Sequence, residues 1–319
     1  MSTARHDPDA LAEHVRRLPG VVAKSSIGVV ADVFGGGDWW AGPGDDGAVV
    51  VDRGRKLIVG GEAMLPSFVS QDPYGAGVSA VLANVNDLAA MGARPLAIVD
   101  TVTGPRDVTR QVLEGLKWAS NAYDVPVVGG HLTETQDPPT LSAFGLGAAE
   151  AVLSATRTAP GQALLFAGCV EGRMRDDFMF FPSFDEREGR LAGDVRVLAD
   201  LAENGAVVAA KDVSMAGLIG SLAMLLEANR LGVAVDLDRV PVPGGVSMQD
   251  WLSCFPCLVF MLTAPADRVE ECVDAFAARG LTAARIGTLD DTGEVRIATK
   301  SASAVVFDLA RESVTRLGR

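Results

Sequence analysis

Apolar positions in this chain fall into short runs of period two and longer stretches of period three to four, separated by Gly, Pro and charged breakers. Val78, Val81, Leu82, Val85, Leu88 and Ala89 follow the i, i+3, i+4, i+7 spacing and predict a helix over residues 75–92. Its opposite face carries Ala76, Ala80, Ala83, Asp87 and Ala90, so the helix is expected to be buried on both sides. A second helix is predicted over residues 106–123. β-rich runs Ala48–Val51 and Lys56–Val59 flank Asp52-Arg-Gly-Arg55, which is hairpin turn chemistry. Further strands are predicted at Arg94–Val102, Val125–Gly130 and Thr140–Val152, and a short helix within residues 1–20.

The composition shifts around Leu153–Pro160 and the pattern restarts. Two domains are therefore expected, residues 1–152 and 153–319, as suits a chain of 319 residues. In the second, strands Ala163–Gly168, Ala206–Ala210 and Cys257–Leu262 alternate with helices Leu191–Asn204, Met215–Arg230 and Asp267–Arg279, before terminal strands. A loop rich in Phe and charge, Arg173–Arg190, precedes the first of these helices. The expected fold class is α/β (α+β) in both halves.

Acidic residues outnumber basic ones, 41 to 28, for a net charge of −13. Such a chain repels phosphate backbones and anionic lipid, which argues against nucleic acid or a membrane surface as partner. With 48% hydrophobic and 22% charged residues it can bury a proper core. No apolar run is long enough to span a bilayer and the N-terminus carries no secretion segment, so a cytoplasmic location is expected. Four scattered cysteines do not make a disulfide framework; Cys254 and Cys257 form a C-x-x-C pair that leads into a buried-strand pattern and reads as packing.

Carboxylates carry the strongest chemistry. A hairpin turn centred on Gly54 would set Asp46 opposite Glu62, two like charges that either splay into water or share a cation. Asp87, on the small-residue face of a buried helix, is costly to desolvate alone, and Asn84 and Asn86 do not neutralise it; a divalent ion or an Arg would. Asp212 stands at a strand-to-helix junction, where it is an N-cap or a ligand. Val127-Val-Gly-Gly-His131 is a strand whose Gly129 and Gly130 permit close ligand approach; His131 after them is structural or part of a site. Oxygen donors without a Cys/His cluster suit Mg²⁺ or Mn²⁺ rather than zinc. No G-x-x-x-x-G-K-[ST] motif is present, and no G-x-G-x-x-G stands between a strand and a helix.

Four motifs then occur in order: Gly44-Asp-Asp-Gly-Ala-Val-Val50, Asn86-Asp-Leu-Ala-Ala-Met-Gly-Ala-Arg-Pro95, Val128-Gly-Gly-His131 and Lys211-Asp-Val-Ser-Met-Ala-Gly-Leu218. Together, over roughly residues 24–290, they resemble the superfamily of aminoimidazole ribonucleotide (AIR) synthetase, thiamine-monophosphate kinase, selenophosphate synthetase and the hydrogenase-maturation carbamoyl-dehydrating protein. The resemblance implies a two-domain AIR-synthase-like fold whose N-terminal sheets pair into a β-barrel in a homodimer. It also implies ATP and Mg²⁺ (or Mn²⁺) held by aspartates rather than by a P-loop. Carried over by position, Asp46, Glu62, Asp87 and Asp212 are metal ligands, Glu62 replacing an Asp of many members. Asp45, Asp46, Gly47, Asn86, Asp87, Gly129 and Gly130 contact the nucleotide, Lys24 contacts phosphate or the transferring group, and His131 lies near the acceptor. Lys24 also reads as an exposed lysine of an N-terminal arm, and Trp39 and Trp40 as a cover over the site or as packing.

Each known activity lacks a part. Val21 stands where the selenium enzyme has its thiol or selenol, Ser214-Met-Ala-Gly-Leu218 lacks an aspartate of the kinase, and the chain ends Thr315-Arg-Leu-Gly-Arg319 with no cysteine. The purine enzyme's Gly-Val-Gly-Thr-Lys and Gly-Gly-Glu-Thr motifs are absent too. The expectation is ATP- and Mg²⁺-dependent phosphoryl transfer to an oxygen of a small metabolite, such as an amide or a phosphate. The alternatives are a selenophosphate-synthetase-like or thiamine-monophosphate-kinase-like activity, or a nucleotide-binding partner without turnover.

Overall fold

The computed structural model describes residues 7–35 and 44–317, so Trp39 and Trp40 lie outside the described residues. The chain divides into two compact units that are not collinear with it. One comprises residues 46–152 and 187–203; the other comprises residues up to Asp45, 153–186 and 204 onward.

The first unit is built on a five-stranded sheet. Its strands are β1 (Ala48–Asp52), β2 (Arg55–Met64), β3 (Arg94–Gly104), β4 (Val127–Glu134) and β5 (Thr140–Ala149), in the spatial order β1-β2-β5-β3-β4. Only the β3–β4 pair is parallel. Three helices open the chain, α1 (Pro8–Arg16), α2 (Pro19–Lys24) and α3 (Gly28–Phe34), and belong to the other unit. In the sheet unit, α4 (Pro66–Gln71) leads into α5 (Pro73–Ala90), which packs on β2, β3 and β5 and under α6 (Arg106–Tyr123). Both faces of α5 are thus buried, as its two apolar or small stripes predict. Its crossing with α6 is close because both helices offer glycine there. A Cβ on Gly77 would meet the Val112 carbonyl oxygen at 2.2 Å, and one on Gly115 the Tyr74 carbonyl oxygen at 2.1 Å. The helix predicted over Leu191–Asn204 is interrupted, as α7 (Leu191–Asp194) and α8 (Val197–Glu203). Asp194 forms a fully buried ion pair with Arg187 at 2.7 Å.

The β1–β2 hairpin corrects one expectation. Arg53 and Gly54 both have positive φ (50° and 82°), which makes a two-residue turn of the hairpin-favouring kind. Ala48 therefore faces Val59 and Asp52 faces Arg55, one residue out from the register that places Asp46 opposite Glu62. Because side chains alternate with period two, that slip moves Asp46 off Glu62's row; Asp46 lies before β1 begins.

In the other unit a seven-stranded sheet runs β14-β13-β9-β12-β6-β11-β8. Its members are β6 (Ala163–Gly168), β8 (Ala209–Asp212), β9 (Gly232–Asp236), β11 (Val259–Ala264), β12 (Thr282–Asp290), β13 (Glu294–Ala298) and β14 (Ser303–Asp308). A two-stranded pair, β7 (Phe180–Phe181) and β10 (Phe255–Pro256), stands beside it. Helices α9 (Gly217–Glu227), α10 (Met248–Ser253) and α11 (Val269–Ala277) complete the unit. Its core gathers Leu11 and Val15 of α1, Val21 of α2, most of α9, and Trp251, which meets Phe181 edge-on at 5.2 Å between ring centroids. All four cysteines are buried, in keeping with a packing role for Cys254 and Cys257.

Candidate functional site

The sheet unit places Asp46 and Asp87 together. The turn from Gly44 to Gly47 feeds β1, and Gly47 is required there, since a Cβ would lie 2.8 Å from Ile58 Cγ2. Across from it, Gly60 of β2 leaves the floor open. Its missing side chain would point at the Asp46 carbonyl oxygen (3.5 Å), and at Asn84 Oδ1 and Asp87 Cβ (both 4.0 Å). A carboxylate oxygen of Asp46 lies within 4.8 Å of one on Asp87, and Asp87 is buried. Two like charges that close, one of them desolvated, repel strongly unless a cation or a proton intervenes. Hard oxygen donors in this arrangement fit Mg²⁺ or Mn²⁺.

The neighbouring Asp45 is committed elsewhere. Its carboxylate accepts hydrogen bonds from Ser154 Oγ (2.7 Å) and from the Ala155 N–H (2.6 Å), in the unit to which Asp45 belongs. Of the adjacent pair, Asp46 is the residue whose side chain approaches Asp87.

Strand register decides the rest. Glu62, Ala143, Asp100 and Gly130 form one row across β2, β5, β3 and β4. Glu62 shares the face of Gly60, which looks onto α5. The next row out is Ala63, Ser142, Thr101 and His131, so His131 points to the opposite, open face, and it is exposed. The sheet thus separates His131 from Glu62 and from the Asp46–Asp87 pair. Gly129 has open space where a Cβ would stand; at Gly130 a Cβ would strike the Asp100 carbonyl and carboxylate oxygens, each at 2.6 Å. Asn86 is buried on α5, one residue before Asp87.

In the other unit, Lys24 ends α2 and is half-buried rather than on a loose arm. Asp212 ends β8, is buried, and lies 3.9 Å from Lys211 Nζ. The first-turn amides of α9 are not capped by any side chain, so Asp212 is not serving as its N-cap.

Three residues of consequence escaped the sequence reading as site residues. Asn84 bridges α5 to the sheet, donating to the Ala80 carbonyl at 2.8 Å and to the Ala143 carbonyl at 3.2 Å. Asp100 is buried on β3, and burial pushes its carboxyl above the usual range. Its signal was an acid in register with Ile98 and Val102, both buried. Lys211 is a buried cation beside Asp212 in β8, where two alanines precede the two charges.

Residues 44–149 match the AIR synthase related protein, N-terminal domain, and residues 183–300 its C-terminal domain. An uncharacterized protein of Synechocystis sp., sll0787, is 34% identical over 276 residues, 85% of each chain. The chain belongs to the AIR synthase related family. Phosphoribosylformylglycinamidine synthase subunit PurL of Prochlorococcus marinus is 26% identical over 293 residues, 81% of this chain and 37% of that relative. Among solved structures, T. maritima PurL complexed with ADP has a TM-score of 0.72 at 20% identity, over 83% of this chain and 46% of that one. This family member thus spans about half the length of the PurL chain whose fold it shares. A HypE–HypF complex gives 0.69 at 22% identity over 88% and 97% of the chains, and AaThiL complexed with AMPPCP and TMP gives 0.66 at 17% over 88% and 95%. The two-domain α/β fold is the AIR-synthase-like one. Among the described residues, no helix is long and apolar enough to cross a membrane.

Proposed function

We propose that this family member is an enzyme that transfers a phosphoryl group from ATP, with Mg²⁺ or Mn²⁺, to an oxygen of a small metabolite. The observation that carries the reading is the approach of the Asp46 and Asp87 carboxylates within 4.8 Å around a floor kept open by Gly60. Glu62 and Asp212 complete the carboxylate set by position in the family's motifs. Relatives in fold support the nucleotide: T. maritima PurL has been solved with ADP and with ATP, and AaThiL with AMPPCP and TMP. When bound, the divalent ion would neutralise charge on the phosphates during transfer.

The chain's own residues have separate duties in this reading. Gly47, Gly129 and Gly130 let backbone approach the nucleotide, and Asn86 supplies an amide beside Asp87. Asp45 holds the entry turn through Ser154 and Ala155, which keeps Asp46 facing Asp87. Lys24 contacts a phosphate. His131 lies on the sheet face away from the Asp46–Asp87 pair, so in this reading it reaches an acceptor only across the homodimer proposed for that face, which exposes Val50, Val59, Val99 and Phe144. Location in the cytoplasm is part of the same proposal.

Mn²⁺ titration followed by electron paramagnetic resonance, with and without ATP, tests the site. Asp87→Asn and Asp212→Asn should each weaken Mn²⁺ about ten-fold or more, the loss of one charged ligand. ATP turnover against a metabolite pool should fall with them. Unchanged Mn²⁺ affinity in Asp87→Asn would sink the proposal.

A second reading, a nucleotide-binding partner without turnover, rests on position 21. Val21 is a core residue whose Cγ2 lies where a Cβ on Gly220 would be only 2.8 Å away, so no nucleophile is presented there. Mg-ATP bound stoichiometrically and never consumed would favour it.

A further inference from the structure

The seven-stranded sheet has a fork. β12 and β9 are paired only through Leu289–Val233 and Asp290–Gly232. Beyond those pairs the two strands part: residues 282–288 of β12 stay with β6, with a bulge between Arg285 and Gly287, while Ala234–Asp236 of β9 stay with β13. A bulge bends its strand and sharpens the local twist, and beside it lies a cleft of about 350 Å³. It is lined by Ala234, Asp236, Arg239, Arg285, Thr288 and Asp290, among others.

The cleft is lined by two arginines and two aspartates, and among the described residues the four are not joined in ion pairs with one another. Asp290 takes hydrogen bonds from Thr292 and reaches Arg296 at 3.2 Å, a guanidinium that Glu294 shares at 3.4 Å. Arg285 is anchored by neutral groups only: its Nε donates to the Gly287 carbonyl at 3.3 Å and its Nη2 to Thr288 Oγ1 at 2.6 Å. Arg239 follows the turn after β9, its N–H bonded to the Asp236 carbonyl. Among the described residues neither arginine has an ion-pair partner. Two arginines without an ion-pair partner among the described residues thus line the cleft, beside Asp236 and a partly compensated Asp290. Thr288, accepting from Arg285, keeps its own O–H to donate into the cleft.

We infer that the β9–β12 fork is a binding site for a small oxyanion, a phosphate or a carboxylate. Arg285 is pre-oriented by its two anchors, so it gives a planar pair of donors without ordering cost, and Arg239 closes over the anion from the turn. Thr288 donates a third hydrogen bond. Asp236 disfavours densely charged polyanions and selects an anion that brings a donor of its own, such as hydrogen phosphate or an amino acid carboxylate. This inference is independent of the proposed phosphoryl transfer.

Calorimetry on the full chain in EDTA, with inorganic phosphate in one series and glutamate in another, tests it without any metal–phosphate complex. Saturable binding of either anion is expected, and the stronger series identifies the source. Arg239→Ala and Arg285→Lys should each weaken it about ten-fold, the cost of a lost charged hydrogen bond. Arg110→Ala, an exposed arginine on α6, should leave it unchanged. Among the described residues the exposed Arg239 side chain makes no hydrogen bond or ion pair, so its variant keeps the test valid if Arg285→Lys unfolds. Absence of saturable binding in both series, or full affinity in Arg239→Ala, would overturn the assignment.

Discussion

Asp46 and Asp87 show how a residue's meaning depends on its neighbours: each is an ordinary acid until the fold sets one beside the other, next to a Gly60 that carries no side chain. The cysteines are the opposite case, side chains whose chemistry the fold removes. Burial pushes the Cys254 thiol up to about 12 and the Cys272 thiol up to about 11, from an ordinary value of 9.0. A raised thiol pKa means that the folded state prefers the neutral form. Its contribution to stability is complete below pH 9 and is lost as pH rises toward 11–12, because the unfolded chain ionises first. Titration with a thiol reagent at pH 8 should leave Cys254 and Cys272 unmodified in the native protein and label both in urea. Urea midpoints measured from pH 8 to 10.5 should fall with pH.

At the scale of elements, the sequence specified where helices and strands lie better than how they pair. The α6 boundaries, Arg106–Tyr123, and those of β6, Ala163–Gly168, match the expectation residue for residue, since charged or breaking residues punctuate both ends. The β1–β2 register was not legible, because a turn centred on Gly54 and a turn across Arg53-Gly54 use the same residues. Which one forms depends on whether Arg53 accepts positive φ, and that is settled by the ladder and by β2's pairing with β5. The α5–α6 crossing is another element-level fact, decided by two glycines on different helices. Gly77→Ala would drive a Cβ into the Val112 carbonyl, where neither helix backbone can yield cheaply. It should destabilise the sheet unit by about 1–3 kcal/mol, the usual cost of overpacking, read as a lower urea midpoint.

At the scale of the molecule, the sheet of the first unit is covered by α5 and α6 on one face and, among the described residues, exposes apolar side chains on the other. That second face carries Phe144 at 43% exposure, beside Val59 and Val99, and ends in His131. An open apolar sheet face of this kind is a common mark of association. If it is the homodimer face proposed above, Phe144→Asp should convert a dimer to a monomer in light scattering, while the helical signal in circular dichroism stays the same. Gly61 gives Phe144 its room, since a Cβ there would lie 2.6 Å from the ring. A wild-type chain that is already monomeric at high concentration would remove both the dimer and any role for His131 that needs it.

The sequence by itself determined the long helices α5 and α6, the strands that flank them, the two-sided burial of α5 and the ordered motifs that mark the family, while the short elements α2, α3, α4, β9 and α10 escaped it. Each feature it determined is written in local periodicity or in short contiguous runs, which need no partner strand to be read. Only the tertiary structure decided that Asp46, not Asp45, approaches Asp87, that His131 turns to the face opposite Glu62, and that β9 and β12 part to leave two arginines lining one cleft. Those outcomes depend on register and on bulges. A shift of one residue reverses every side chain along a strand while leaving the pattern of apolar and polar letters unchanged.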